Sequence, residues 1–382
     1  MPVPTPANRR RLLASLLAVL FACVGCFTTR PAKVCMQGDI TAGGTIKTVI
    51  ATDNNAPPVR ARALPRQPKC VPKIALIDVD GLLINRNLSG SGSMGENPVA
   101  LFREKLEAAA DDPNLCAVVL RINSPGGGVT ASDIMRRDLE QFRQTTGKPV
   151  VACLMDLGAG GAYYLATASD TIVAHPTTLT GGYGVILNLY DLFEAMEAQS
   201  VTAETIRSGR KVDIGSPTRP MERDERAILE QIARQYHERM RATILSARPG
   251  VRVQLTQDGA EELAPPGAVG QGGAGDDPYA GTVFDGRVLL ATEAQSRGLI
   301  DQIGYLDDAI LTARGLAGLP ASKTVVFRRS NDRALTAYDI TPNLPTPVVS
   351  VPLSIPGPDR SQLPVFLYLW QPEPLYERTG GL

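Results

Sequence analysis

From Ile74 to Ala174 the chain repeats one pattern: an apolar run of strand length, a turn, then a stretch with helical apolar spacing. The strand-like runs are Ile74 to Asp80, Cys116 to Ile122, Val150 to Leu154 and Thr171 to Ala174. Between them lie amphipathic stretches at Asn97 to Ala110, at Ser132 to Thr145 and, after a Gly158-Ala159-Gly160-Gly161 turn, up to Ser169. Short apolar runs alternating with helical patterns predict a largely parallel α/β core. A longer amphipathic helix is expected over about Glu222 to Leu245. The pattern then fails from Pro249 to Gly281, which is dense in Gly, Pro and Asp and reads as a mobile insertion.

The ends of the chain differ from its middle. Arg9-Arg10-Arg11 precedes an apolar run from Leu12 to Phe27, short for a bilayer span of roughly 20 residues, so residues 1–26 read as an export signal. Within it, Val24-Gly25-Cys26 has the form of a bacterial lipoprotein processing site, with Leu20-Phe21-Ala22-Cys23 as a second option and an uncleaved anchor helix as the other outcome. Acylation at Cys26, or the anchor, places the protein at a membrane on the non-cytoplasmic side of the cell envelope. Residues 27–70, with Ala56-Pro57-Pro58 and Leu64-Pro65, suit a disordered tether. A disulfide between Cys35 and Cys70 is possible in an oxidising compartment, whereas Cys116 and Cys153 lie in strand-like runs and read as buried thiols. Residues 319–382 form a Pro-rich tail with one strand-like run, Thr324 to Arg328, and an isolated aromatic stretch, Leu363 to Trp370.

Several function classes receive no support. The 39 basic residues balance 39 acidic ones and are scattered, so no nucleic-acid partner is expected. With two histidines and no CxxC pair outside the signal, no metal site is expected. The Gly158 to Tyr163 turn is not a dinucleotide site, because Tyr163 stands where a third glycine must allow close helix packing. No cofactor is expected.

Three motifs carry a resemblance. They are Ser124-Pro125-Gly126-Gly127-Gly128, the segment Asp156-Leu157-Gly158-Ala159-Gly160-Gly161-Ala162-Tyr163-Tyr164, and Arg297-Gly298-Leu299-Ile300-Asp301-Gln302-Ile303-Gly304 after Gly286-Arg287-Val288. Together they resemble the signal peptide peptidase A family of serine-lysine peptidases, over residues 71–318 with an interruption at about 249–281. The resemblance implies one domain with the fold of Clp protease and crotonase, a superhelix of strand-strand-helix units. It also implies an oxyanion and substrate loop at Ser124, Pro125, Gly126, Gly127 and Gly128. A substrate strand would be added along Leu179, Thr180, Gly181, Gly182, Tyr183 and Gly184.

The resemblance places the nucleophilic serine at position 160 and the lysine base at position 212. This chain has Gly160 and Val212 there, with Lys211 one residue early. In an extended segment that shift turns a side chain to the opposite face. Ser124 is expected to bond its own turn and Ser132 to cap the following helix. Neither His175 nor His237 has an evident serine partner for a Ser-His-Asp arrangement. The expected protein is a catalytically silent, oligomeric scaffold that binds extended peptide or unfolded polypeptide, alone or mixed with an active paralogue. The alternative is an active serine endopeptidase with a relocated serine.

Overall fold

The computed structural model describes residues 58–65, 72–86, 96–254, 278–330, 332, 334–341 and 366–370. The export signal, Cys26, Cys35, Cys70 and most of the tether lie outside the described residues.

The first half of the chain supplies strands β1 (Arg60–Ala63), β2 (Lys73–Asp80), β3 (Leu115–Ser124), β4 (Gly126–Gly128), β5 (Val150–Ala159), β6 (Thr171–Ala174) and β7 (Leu179–Gly181). Helices α1 (Pro98–Ala110), α2 (Val129–Thr146), α3 (Gly161–Ala166) and α4 (Phe193–Ala198) connect and follow them. The second half adds α5 (Arg223–Ala247), β8 (Val288–Leu290), α6 (Ala291–Ser296), β9 (Gln302–Ile303), α7 (Leu306–Leu316), β10 (Lys323–Arg328) and β11 (Leu367–Leu369). Nine strands form one sheet in the order β1-β10-β2-β3-β5-β6-β9, with β7 and β8 continuing from the far end of β5. Pairings from β10 through β9 are parallel, so the mixed α/β, largely parallel architecture expected from the sequence is the one found.

Both faces of the central strands are covered, which explains why they read as unbroken apolar runs. Ala75, Ile77 and Val79 of β2, Val118, Leu120 and Ile122 of β3, and Val150, Ala152 and Leu154 of β5 face one core with α1, α2 and α3. The intervening Ile74, Leu76, Ala117, Val119, Val151 and Cys153 face a second core beneath α7. Burial there pushes the Cys153 thiol up to about 12; Cys116 is only partly buried.

The helices begin where local chemistry favours it. Asn97 caps α1 by accepting from the Val99 and Ala100 amides, with Pro98 in the first turn. Glu222 and Glu225 form a capping box on α5. Met135, Leu139 and Phe142, spaced by four and three residues, bury one face of α2.

The ordered domain reaches beyond the boundaries expected from sequence. Part of the tether forms β1, antiparallel to β10, and Val59 and Leu64 are buried. The strand-like run of the tail becomes β10, inserted between β1 and β2 with Thr324 to Phe327 buried. The two ends of the expected insertion also pack: Val251, Val253 and Tyr279 are buried, and the Val283 amide donates to the Val253 carbonyl at 2.9 Å.

A buried ionic cluster fixes the segment that follows β10. Asp78 and Arg121, opposite one another on β2 and β3, approach to 2.5 Å, and Lys105 of α1 lies 3.8 Å from Asp78, all at most 5% exposed. Desolvation lowers the Lys105 pKa, opposed by Asp78. Arg121 donates to the Ala337 and Asp339 carbonyls, Lys105 donates to the Thr341 carbonyl at 2.6 Å, and the Thr341 amide and hydroxyl donate to Asp78. Each charge is thus partnered, as burial demands.

Candidate functional site

The site lies where β5 runs into α3 with a single residue between them. Reversing from strand to helix in one step requires a backbone conformation that L-residues avoid, and Gly160 adopts φ 52°, ψ −122°. It is pinned on both sides: its amide donates to the Gly181 carbonyl at 2.9 Å, and its carbonyl accepts from the Tyr164 amide at 3.0 Å. All six residues of α3 are buried. Tyr163 donates its hydroxyl to the Leu299 carbonyl at 2.6 Å and Tyr164 to Asp133 at 2.8 Å, so the paired tyrosines lock this helix from two directions.

The Gly-rich loop passes beside this apex. Ser124, the last residue of β3, is fully buried, and its Oγ accepts from the Gly126 amide at 3.1 Å, the turn-bonding role expected of it. Leu83 holds the inner edge of β4, donating to the Gly126 carbonyl at 2.9 Å and accepting from the Gly128 amide at 2.8 Å. Close approach explains the glycine at 127, where a Cβ would meet the Leu83 carbonyl oxygen at 2.1 Å. The helix cap differs from the sequence expectation: α2 starts at Val129 behind Gly128 with no side-chain cap bond. Ser132 therefore sits inside the first turns, fully buried, its Oγ without a hydrogen-bond partner and pressed beneath Gly161.

The segment opposite the loop is built differently from the expected substrate edge. β7 pairs with β5 on one side and β8 on the other, so Leu179, Thr180 and Gly181 have both edges engaged. Gly182 donates to the Arg287 carbonyl at 2.7 Å, and the Tyr183 ring is buried against Tyr163 and Phe284. Beyond Gly184, the residue that borders the groove with its backbone is Ile186.

That groove is filled. β11 lies antiparallel to β4 with Tyr368 opposite Gly127, and on its other side Leu367 and Ile186 exchange both backbone bonds at 2.9 Å. The C-terminal aromatic stretch is thus a middle strand between the Gly-rich loop and Ile186, with the Tyr368 carbonyl over Gly160.

The lysine position is distant in kind from a general base. Val212 is 70% exposed on a turn. Lys211 reaches Asp224 at 2.7 Å and Glu222 at 3.0 Å, and Asp224, followed by Glu222, raises its pKa above the ordinary lysine value. A base must be neutral near pH 7, and these carboxylates hold Lys211 charged. Neither histidine completes another dyad: His175 Nδ1 bonds Thr177 Oγ1 at 2.8 Å, and the His237 ring packs on Tyr279 at 3.9 Å. Among the described residues no group of three or more His, Cys, Asp or Glu side chains is arranged to hold a metal ion.

Residues 142–263, which include the apex and the Lys211 turn, match the model of peptidase family S49. The chloroplastic serine protease SPPA of Arabidopsis thaliana is 30% identical over 66% of this chain and 34% of its own length. Protease 4 of Salmonella typhi is 26% identical over 64% of this chain and 35% of its own. Over residues 142–263 the chain is similar to peptidase family S49. The chain spans about a third of the length of these two relatives. A solved membrane-bound stomatin-specific protease in complex with a substrate peptide superposes with a TM-score of 0.36 at 15% identity, covering 63% of this chain and 80% of that one. The position to which the motif resemblance assigns the nucleophile is Gly160, which carries no side chain.

Proposed function

We propose that this S49-like protein is catalytically silent and holds extended peptide strands in the groove between β4 and Ile186, acting as a binding or scaffolding subunit in the cell envelope. The observation that carries the proposal is Gly160: the apex keeps its backbone geometry and its flanking glycine loop but has no hydroxyl to attack a carbonyl. Two further features support it. Ser124 Oγ is engaged by the Gly126 amide, and Lys211 is paired to carboxylates instead of standing neutral beside a hydroxyl. Anchoring through Cys26 or the N-terminal apolar run, and assembly as a homo-oligomer or with an active paralogue, complete the proposal. Among the described residues no helix is long and apolar enough to cross a membrane.

One observation favours the alternative, an active endopeptidase with a relocated serine: the buried, unpartnered Oγ of Ser132 next to the apex. The experiment is a fluorophosphonate label combined with hydrolysis of an unfolded protein substrate by the purified full-length chain. Silence predicts neither labelling nor cleavage above a heat-denatured control. Labelling abolished by Ser132→Ala or Ser124→Ala would establish the relocated serine instead.

A further inference from the structure

The strand in the groove fits through both its backbone and its side chains. On the β4 side the Val129 amide donates to the Phe366 carbonyl at 3.1 Å and the Trp370 amide donates to the Pro125 carbonyl at 3.0 Å; on the other side is the two-bond pair with Ile186. Tyr368 is fully buried: its ring lies 5.5 Å from that of Tyr164, and its hydroxyl donates to the Tyr236 carbonyl of α5 at 2.7 Å. Phe366 packs its ring on Tyr236 at 5.3 Å, and Leu369 is 4% exposed.

The groove in turn has glycine wherever this strand comes close. A Cβ at Gly126 would stand 2.0 Å from the Tyr368 carbonyl oxygen, one at Gly160 2.5 Å from the same atom, and one at Gly182 2.5 Å from the Trp370 Cβ. Three glycines from three separate segments thus leave the volume that one strand fills. The strand is also tethered close by its own chain, since Asp78 and Lys105 fix Thr341 on the same domain. The 24 residues from 342 to 365 can span at most roughly 80 Å, ample for docking onto the same molecule. A short tether of this kind gives an effective concentration of order millimolar.

We propose that residues 366–370 are the resident ligand of the groove, docked in cis. The groove is a recognition site for extended, uncharged segments with a tyrosine or phenylalanine, flanked by leucines, at the place of Tyr368. An outside peptide of that kind enters only by displacing the tail. This deepens the peptide-binding function proposed above and rests on it.

The test uses the full-length chain, whose only tryptophan is Trp370. Trp370 is partly buried, so the wild type should show emission that is blue-shifted and less quenched by acrylamide than in a variant whose strand has left the groove. Tyr368→Asp buries a charge in the aromatic pocket, and Leu367→Pro removes the amide that donates to Ile186; both variants expose Trp370 without changing far-UV circular dichroism. Tyr368→Phe loses one hydroxyl bond, weakens docking by roughly fivefold and leaves Trp370 shielded. A tryptophan-free, fluorescein-labelled Phe-Leu-Tyr-Leu-Phe peptide binds the Tyr368→Asp protein at least roughly tenfold more tightly than the wild type, because the wild-type groove is already occupied. The same peptide with a central aspartate binds neither.

Trp370 equally exposed in the wild type and both disrupting variants overturns the proposal. So does labelled peptide that binds all forms equally or binds none. Emission that reddens on dilution of the wild type overturns docking in cis in favour of exchange between copies. Fluorophosphonate labelling of the wild type would strike the silent-subunit reading alone and leave the Trp370 result standing.

Discussion

Replacing Gly160 by alanine adds one methyl group, and its surroundings fix the outcome. The new Cβ would lie 2.5 Å from the Tyr368 carbonyl oxygen, 2.9 Å from its carbon and 3.2 Å from the Leu369 amide nitrogen, all backbone atoms that cannot rotate aside. Gly160 cannot retreat either, held by the Gly181 carbonyl and the Tyr164 amide at 2.9 and 3.0 Å. The backbone at φ 52°, ψ −122° is strained for any L-residue at about 1–3 kcal/mol, and this part is lost from the domain itself. For a domain of this size that corresponds to a melting temperature lower by roughly 2–10 °C. The contact is relieved by moving the strand, which weakens backbone bonds of about 1 kcal/mol each and exposes Trp370. Differential scanning calorimetry and tryptophan emission on Gly160→Ala measure the two parts separately. An unchanged melting temperature with Trp370 still shielded would refute the geometry at the apex. Gly160→Ser should behave alike, so restoring a hydroxyl here, even together with Val212→Lys, also requires the tail to leave.

Two other perturbations probe the regions flanking the groove. Asp78→Asn strands the Arg121 and Lys105 charges in a site where all three side chains are at most 5% exposed, so urea unfolding should report a loss of about 3–5 kcal/mol; a loss below about 1 kcal/mol would show that the cluster is not what fixes the tail's root. The turn bearing Lys211 should respond to acid: Arg219 holds the Glu225 carboxyl down to about 2 from an ordinary 4.5, and Arg219 with Arg207 also depresses Asp213. Carboxylates with lowered folded-state pKa values contribute stability above their unfolded values that is lost as pH falls through the folded ones. Amide protection factors over residues 207–225, corrected for the intrinsic exchange rate at each pH, should therefore hold down to about pH 4.5 and fall toward pH 2; a fall already at pH 6 would refute the pairing.

Much of the fold was legible because the sequence signals were local. Asn97 before Pro98, the capping pair Glu222 and Glu225, and the unbroken apolar runs of β2, β3 and β5 each follow from chemistry within a few residues. The site motifs were legible for the same reason, since the glycines at 126, 127 and 160 mark turns and close approaches wherever they occur. The start of α2 was not, because Gly128 precedes it without a capping side chain while Ser132 looks like one. Nor were the strand roles of Arg60–Ala63 and Lys323–Arg328, whose pairing depends on partners far away in the chain. The occupant of the groove was the least legible: nothing local to Leu367–Leu369 says that it pairs with residues some 240 positions earlier. The clue available in sequence was one of composition, an isolated aromatic run with no amphipathic period beside a loop with no side chains.

The ribbon Gly126–Gly128 has further meaning once its neighbours are counted. Leu83 takes one border and Leu367–Leu369 the other. Uncovered, a glycine border presents unpaired backbone groups on which extended segments that suit the groove, those of other copies included, can pair. With Leu367–Leu369 laid along it that border is paired, and a variant whose strand leaves the groove should show this first as turbidity on standing.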